Sequence, residues 1–154
     1  MARTASAADK GRDLSASLED YLEAIYAIQA EKQAARASDI AQRLGVGRSS
    51  VTGALRALAE RELINYAPYD LITLTDRGRA EAEDVTGRHE AARDFLAELL
   101  CLEPDRADRV ACRIEHAVGP ETLRRCRLAV RFIRENKAGR KWQSQFEQFL
   151  QQAE

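Results

Sequence analysis

The sequence predicts a mainly α-helical protein with one small β-hairpin: a winged helix-turn-helix domain followed by an all-helical dimerisation and metal-binding domain. Three observations predict it. Two short apolar-periodic segments flank Gly45-Val46-Gly47, and two β-favouring runs follow at once. The rest of the chain is a series of amphipathic helical stretches, one of which carries Cys112, Glu115 and His116. Of 154 residues, 45% are hydrophobic and 32% charged, with only 8 glycines and 3 prolines, the usage of a helical globular chain. The formal net charge of −1 excludes a global basic field, so any nucleic-acid contact has to come from a local patch.

The elements follow in order. Met1 to Asp13 has no apolar core segment, so neither a signal peptide nor a membrane span is expected, and residues 1–13 read as a flexible tail. Leu18, Tyr21, Leu22, Ile25, Tyr26 and Ile28 recur at helical spacing with Ser17 as the predicted N-cap. Ser38 is the predicted cap of a short helix from Asp39 to Leu44 that buries Ile40, Ala41 and Leu44. After the glycine turn, a second helix from Arg48 or Ser49 through Leu58 buries Val51, Leu55 and Leu58. Leu63 to Tyr66 and Leu71 to Thr75 then form a hairpin around Ala67-Pro68-Tyr69-Asp70. A hairpin directly after the second helix makes a winged helix-turn-helix, and the second helix is the one that would enter a DNA major groove. Arg48, Ser49, Ser50, Thr52 and Arg56 are the candidate DNA contacts, since arginines and hydroxyls there can meet phosphates and base edges.

Residues 14–80 are thus assigned to DNA binding and 81–154 to dimerisation and metal binding. Thr75 or Asp76 starts a long helix with His89 in its middle, and Glu103-Pro104-Asp105 opens the next, which is expected to run to Gly119-Pro120. A further helix spans about Glu121 to Asn136, and Gly139 is expected to break the chain before a last amphipathic segment with Trp142, Phe146, Phe149 and Leu150. So much apolar helical surface in so short a region points to a homodimer.

On a helix, positions i, i+3 and i+4 share a face, so Cys112, Glu115 and His116 form one stripe of thiolate, carboxylate and imidazole, suited to a divalent transition metal. The same stripe also fits an ordinary amphipathic helix, and Asp20 and Glu23, one turn apart on the first helix, are equally compatible with two solvated acids. Two further readings stay open on the residues alone. One is a metal-independent winged-helix regulator sensing a small molecule or thiol oxidation through Cys112. The other is a metalloenzyme, for which the sequence supplies neither nucleophile motif nor phosphate loop. The three cysteines, Cys101, Cys112 and Cys126, occur in no C-x-x-C arrangement and fit reduced thiols in a cytoplasm.

Several separated motifs resemble one family in order and spacing. Ser17 to Tyr26, Ser38-Asp39-Ile40-Ala41, Ser49-Ser50-Val51-Thr52, Leu74-Thr75-Asp76-Arg77-Gly78, Arg88-His89-Glu90 and Ile114-Glu115-His116 are similar to those of the DtxR/MntR metal-dependent repressors. The resemblance implies a homodimer that binds a palindromic operator when loaded with manganese or ferrous iron and represses metal-uptake genes. It places the metal ligands on Asp20, Glu23, His89, Cys112, Glu115 and His116. Cobalt, nickel or zinc would also be accepted in vitro. The chain is a hybrid within that family: Asp20 is similar to the manganese branch, whereas Cys112 is similar to the iron branch. Arg93 stands where the resemblance implies an ancillary-site glutamate, and Asp108 falls on another ancillary position. The chain also ends without the third domain of many iron-branch members, so the short manganese-type architecture is expected. Donors on two domains would let metal favour the arrangement that sets paired recognition helices about one DNA turn, roughly 34 Å, apart.

Overall fold

Leu14 and Leu18 both pack against the same apolar cluster, which starts the first helix earlier than Ser17. In the computed structural model, which describes residues 14–67 and 71–153, Ser15 rather than Ser17 is the N-cap of α1 (Ala16–Lys32), its hydroxyl accepting from the Leu18 amide. The predicted tail, 1–13, and the turn residues Pro68, Tyr69 and Asp70 lie outside the described residues. α1 ends at Gln33, whose φ of 67° is the left-handed value that closes helices.

α2 (Ala37–Leu44) also starts earlier than expected, capped by the extended backbone of Arg36, with Ser38 inside the first turn. Ala35 explains the shift. It is fully buried and exchanges both backbone hydrogen bonds with Ile72, which fixes the chain as a strand up to Arg36. Gly45 closes α2 at φ 66°, and α3 (Arg48–Glu60) follows. β1 (Ile64–Asn65) and β2 (Thr73–Leu74) pair antiparallel with Ile64 opposite Leu74, the predicted hairpin in shortened form. Its attachment to α1 runs through Gln29, whose side-chain oxygen accepts the Leu74 amide at 2.7 Å.

Thr75 caps the long α4 (Asp76–Glu98): its hydroxyl accepts from the Gly78 amide and donates to the Glu62 carbonyl. Gly78 is required there. A Cβ at that position would lie 1.8 Å from the Leu63 carbonyl oxygen, a separation no side chain can occupy.

The chain divides within α4 into two compact units, 1–84 and 85–154. The first encloses Leu22, Ile25, Ile40, Val51, Leu55, Leu58 and Ile72, all fully buried. The second holds the end of α4 with α5 (Pro104–Ile114), α6 (Pro120–Glu135) and α7 (Lys137–Ala153). Its core cluster is Ala92, Leu96, Ala107, Ala111 and Leu123. Gly139 does not break the chain as expected. It sits buried in the first turn of α7, where a Cβ would come within 2.7 Å of the Ile133 Cα, so its lack of side chain serves close helix contact. No helix among the described residues is long and apolar enough to cross a membrane.

Candidate metal centre and nucleic-acid interface

The stripe expected on one helix is split. α5 ends at Ile114, whose carbonyl accepts the amides of both Ala117 and Val118, so Glu115 and His116 lie in the turn that follows. The cause is local: the chain has to reverse before Pro120 opens α6, and Ile114 and Val118 both pack on the Ala107-Ala111-Leu123 cluster. Cys112 lies on the exposed side of α5, whereas Glu115 is 1% exposed.

Glu115 is the organising group of this unit. Its Oε2 lies 2.7 Å from His89 Nδ1, and its Oε1 lies 3.2 Å from His116 Nε2 without the alignment of a hydrogen bond. That Oε1 is buried and has no hydrogen-bond partner among the described residues. Burying a carboxylate is costly unless its oxygens are paired or bound to a cation. The other edge of His89 is also occupied: Nε2 lies 3.0 Å from Asp108 Oδ1. In the other unit, Asp20 and Glu23 stand one turn apart on α1, both half-buried.

Around this cluster, Arg93 binds Asp94 at 2.8 Å, and Asp94 in turn accepts from Arg134, which also pairs with Glu98. Burial opposes ionisation of Asp94, but the bonds from Arg93 and Arg134 outweigh it and hold its pKa below the usual aspartate value. Burial pushes the thiols of Cys101 and Cys126 up, which keeps them protonated. Sequence reasoning missed the role of Asp108 as a partner of His89. The signal was there in principle, since Asp108 lies one turn before Cys112, but contact with His89 depends on tertiary packing.

On α3, Arg48, Ser49, Ser50 and Arg56 are exposed, and Gly47 supplies no side chain to cap the first amides. Those amides are therefore available to an anion. Thr52 is half-buried and its hydroxyl donates to the Arg48 carbonyl at 3.0 Å, so the helix itself uses that proton. Gly53 lies on the exposed side, and a Cβ there would meet nothing within 4 Å, which leaves a bare patch between the serines and Arg56.

Comparison with known proteins decides the family. Residues 13–71 match the iron dependent repressor N-terminal DNA binding domain, and residues 75–144 match the iron dependent repressor metal binding and dimerisation domain. The HTH-type transcriptional regulator MntR of Geobacillus kaustophilus is 35% identical over 121 residues, 79% of this chain and 85% of that one. The chain belongs to the DtxR/MntR family of metal-dependent transcriptional repressors. An uncharacterised HTH-type transcriptional regulator of Methanocaldococcus jannaschii is 36% identical over 116 residues, 75% of this chain and 93% of that one. A solved manganese-dependent transcriptional repressor in complex with manganese is similar at a TM-score of 0.68 and 30% identity. The match covers 75% of this chain and 53% of that one, so the chain spans about half the length of that structure. DtxR/MntR membership makes the chain a DNA-binding regulator that depends on a divalent metal, and it sets aside both the enzyme and the metal-independent alternatives.

Proposed function

We propose that this DtxR/MntR repressor binds manganese or ferrous iron through Asp20, Glu23, His89, Glu115 and His116, with Cys112 at the exposed margin of the set. In that state a homodimer closes on a palindromic operator and shuts off metal-uptake genes. The observation that carries the reading is Glu115: a buried carboxylate with one orphaned oxygen, flanked by both histidines of the chain. The donors fit a divalent ion, because carboxylates with imidazole suit manganese and ferrous iron, while the Cys112 thiolate, where it joins the set, moves affinity towards softer and later metals. A bound ion supplies the positive charge that offsets the desolvated carboxylate. Asp20 and Glu23, half-buried on α1, complete the donor set in this reading.

Arg48, Ser49, Ser50 and Arg56 meet the operator in this reading, with Gly53 leaving space for a phosphate backbone or base edge. Thr52, whose hydroxyl proton is used by the helix, keeps its oxygen as an acceptor and its methyl group for the operator. The exposed Leu128, Phe132 and Trp142 supply the apolar surface that a second copy covers. The test is operator binding measured by fluorescence anisotropy, anaerobically, with and without manganese or ferrous iron. Glu115→Ala, His116→Ala and Cys112→Ala should each reduce the metal stimulation, the first two most. Undiminished stimulation in all three sinks the proposal. Replacing Cys112 with glutamate should raise the manganese response relative to iron.

A further inference from the structure

We infer that Asp108 is a positioning residue: it accepts a hydrogen bond from Nε2 of His89, and this fixes the ring so that Nδ1 presents its lone pair to the metal beside Glu115. The inference rests on the proposed metal centre and goes beyond it, since it assigns a proton position and gives Asp108 a role other than ligand. Three observations carry it.

The first is the pair of distances. His89 has a carboxylate at each edge, Glu115 Oε2 at 2.7 Å from Nδ1 and Asp108 Oδ1 at 3.0 Å from Nε2. A neutral imidazole has one N–H and one lone pair, so only one edge can serve a cation while the other donates. The second is burial. The Glu115 side chain is fully buried, whereas that of Asp108 is 59% exposed. The inner edge is the one from which water is excluded. Without an ion Nδ1 and Oε2 share a hydrogen bond at 2.7 Å; an ion at that edge would replace its proton, leaving Nε2 to donate to Asp108. The third is charge. Arg93, one turn after His89 on α4, carries a guanidinium bound to Asp94, and its charge also interacts with Asp108. A cation held there opposes a second metal at the Asp108 edge and leaves that carboxylate to the histidine.

A carboxylate that takes the far N–H of a metal-binding histidine fixes its tautomer and orientation, and loss of such a partner lowers metal affinity by about 10- to 100-fold. The experiment compares manganese affinity by calorimetry in the wild type, Asp108→Ala, Asp108→Asn and His89→Ala, together with the tautomer of His89 read by nitrogen-15 NMR in the zinc-loaded protein. The wild type should show His89 protonated at Nε2. Asp108→Ala should weaken manganese binding by about 10- to 100-fold with the number of ions per chain unchanged. Asp108→Asn keeps an oxygen acceptor and should recover most of that loss. Because Asp108 is exposed, these variants keep the fold, which circular dichroism checks directly.

Four results overturn the inference: His89 protonated at Nδ1, an unchanged affinity in Asp108→Ala, an asparagine variant as weak as the alanine one, or a lower number of bound ions in Asp108→Ala. The last would make Asp108 a ligand in its own right. His89→Ala separates the two levels. If it weakens binding while Asp108→Ala does not, only the positioning role fails; if His89→Ala binds as the wild type does, the metal centre fails and the inference with it.

Discussion

The two units differ in what they bury beside their apolar cores and in what they leave exposed. The first closes a core of large aliphatic side chains, with Leu22, Ile25, Ile40, Leu55, Leu58 and Ile72 all without solvent exposure. The second builds its core cluster largely from alanines and buries a carboxylate, Glu115, while Leu100, Leu128, Phe132, Trp142 and Phe149 remain 42–63% exposed. Only Val46 and Leu71 are comparably exposed large apolar residues in the described part of the first unit. A buried carboxylate and an exposed apolar face each leave a cost that a bound cation or a covering surface removes. The difference follows the family matches, a DNA binding domain in the first part of the chain and a metal binding and dimerisation domain in the second.

Weakening the first unit from within puts this contrast under the most severe test. Leu55→Ala removes a fully buried side chain and should cost about 2–5 kcal/mol in urea unfolding. A loss below about 1 kcal/mol would mean that this core is not closed. The second unit should respond instead to its ligands. Manganese at about 100 times its dissociation constant should add about 2.7 kcal/mol of stability, visible as a rise in melting temperature. Glu115→Ala should abolish that rise, and a variant stabilised as fully as the wild type would contradict the role of the buried carboxylate.

A smaller effect belongs to the exposed apolar face. Phe132→Asp, at 51% exposure, should weaken self-association by about 2 kcal/mol, or roughly 30-fold, in sedimentation equilibrium. Leu55→Ala should give the complementary result, a loss of stability with self-association unchanged. The smallest effect lies in the surface ion pairs. Asp94→Asn should cost under about 1 kcal/mol at neutral pH. Because Arg93 and Arg134 depress the pKa of Asp94, its contribution is present above the unfolded aspartate value and is lost as pH falls through the folded one. The stability gap between wild type and Asp94→Asn should therefore close in the acid range, below about pH 4. A gap that widens with acid would assign the opposite sign.

Much of the first unit is legible in the sequence because its signals are local. The glycine turn, the periodic apolar residues of α2 and α3 and the paired β-runs each act over a few residues. Where structure and expectation differ, a distant partner is responsible: Ala35 and Ile72 pin the strand that sets the start of α2 at Ala37, and neither reveals the other along the chain. The same holds for Gly139, which reads as a breaker until α6 is placed against it.

Spacing and side-chain chemistry are properties of the chain, and they were enough to specify the helical periodicity and the winged helix-turn-helix; the candidate metal ligands came from the family resemblance. How those side chains are used in the second unit was settled by packing. Cys112 is exposed and Glu115 buried, although they are three residues apart. Folding α4 and α5 together brings Asp108 to one edge of His89 and Glu115 to the other. Which atom faces inward depends on what packs over it, and that is not encoded in any single residue.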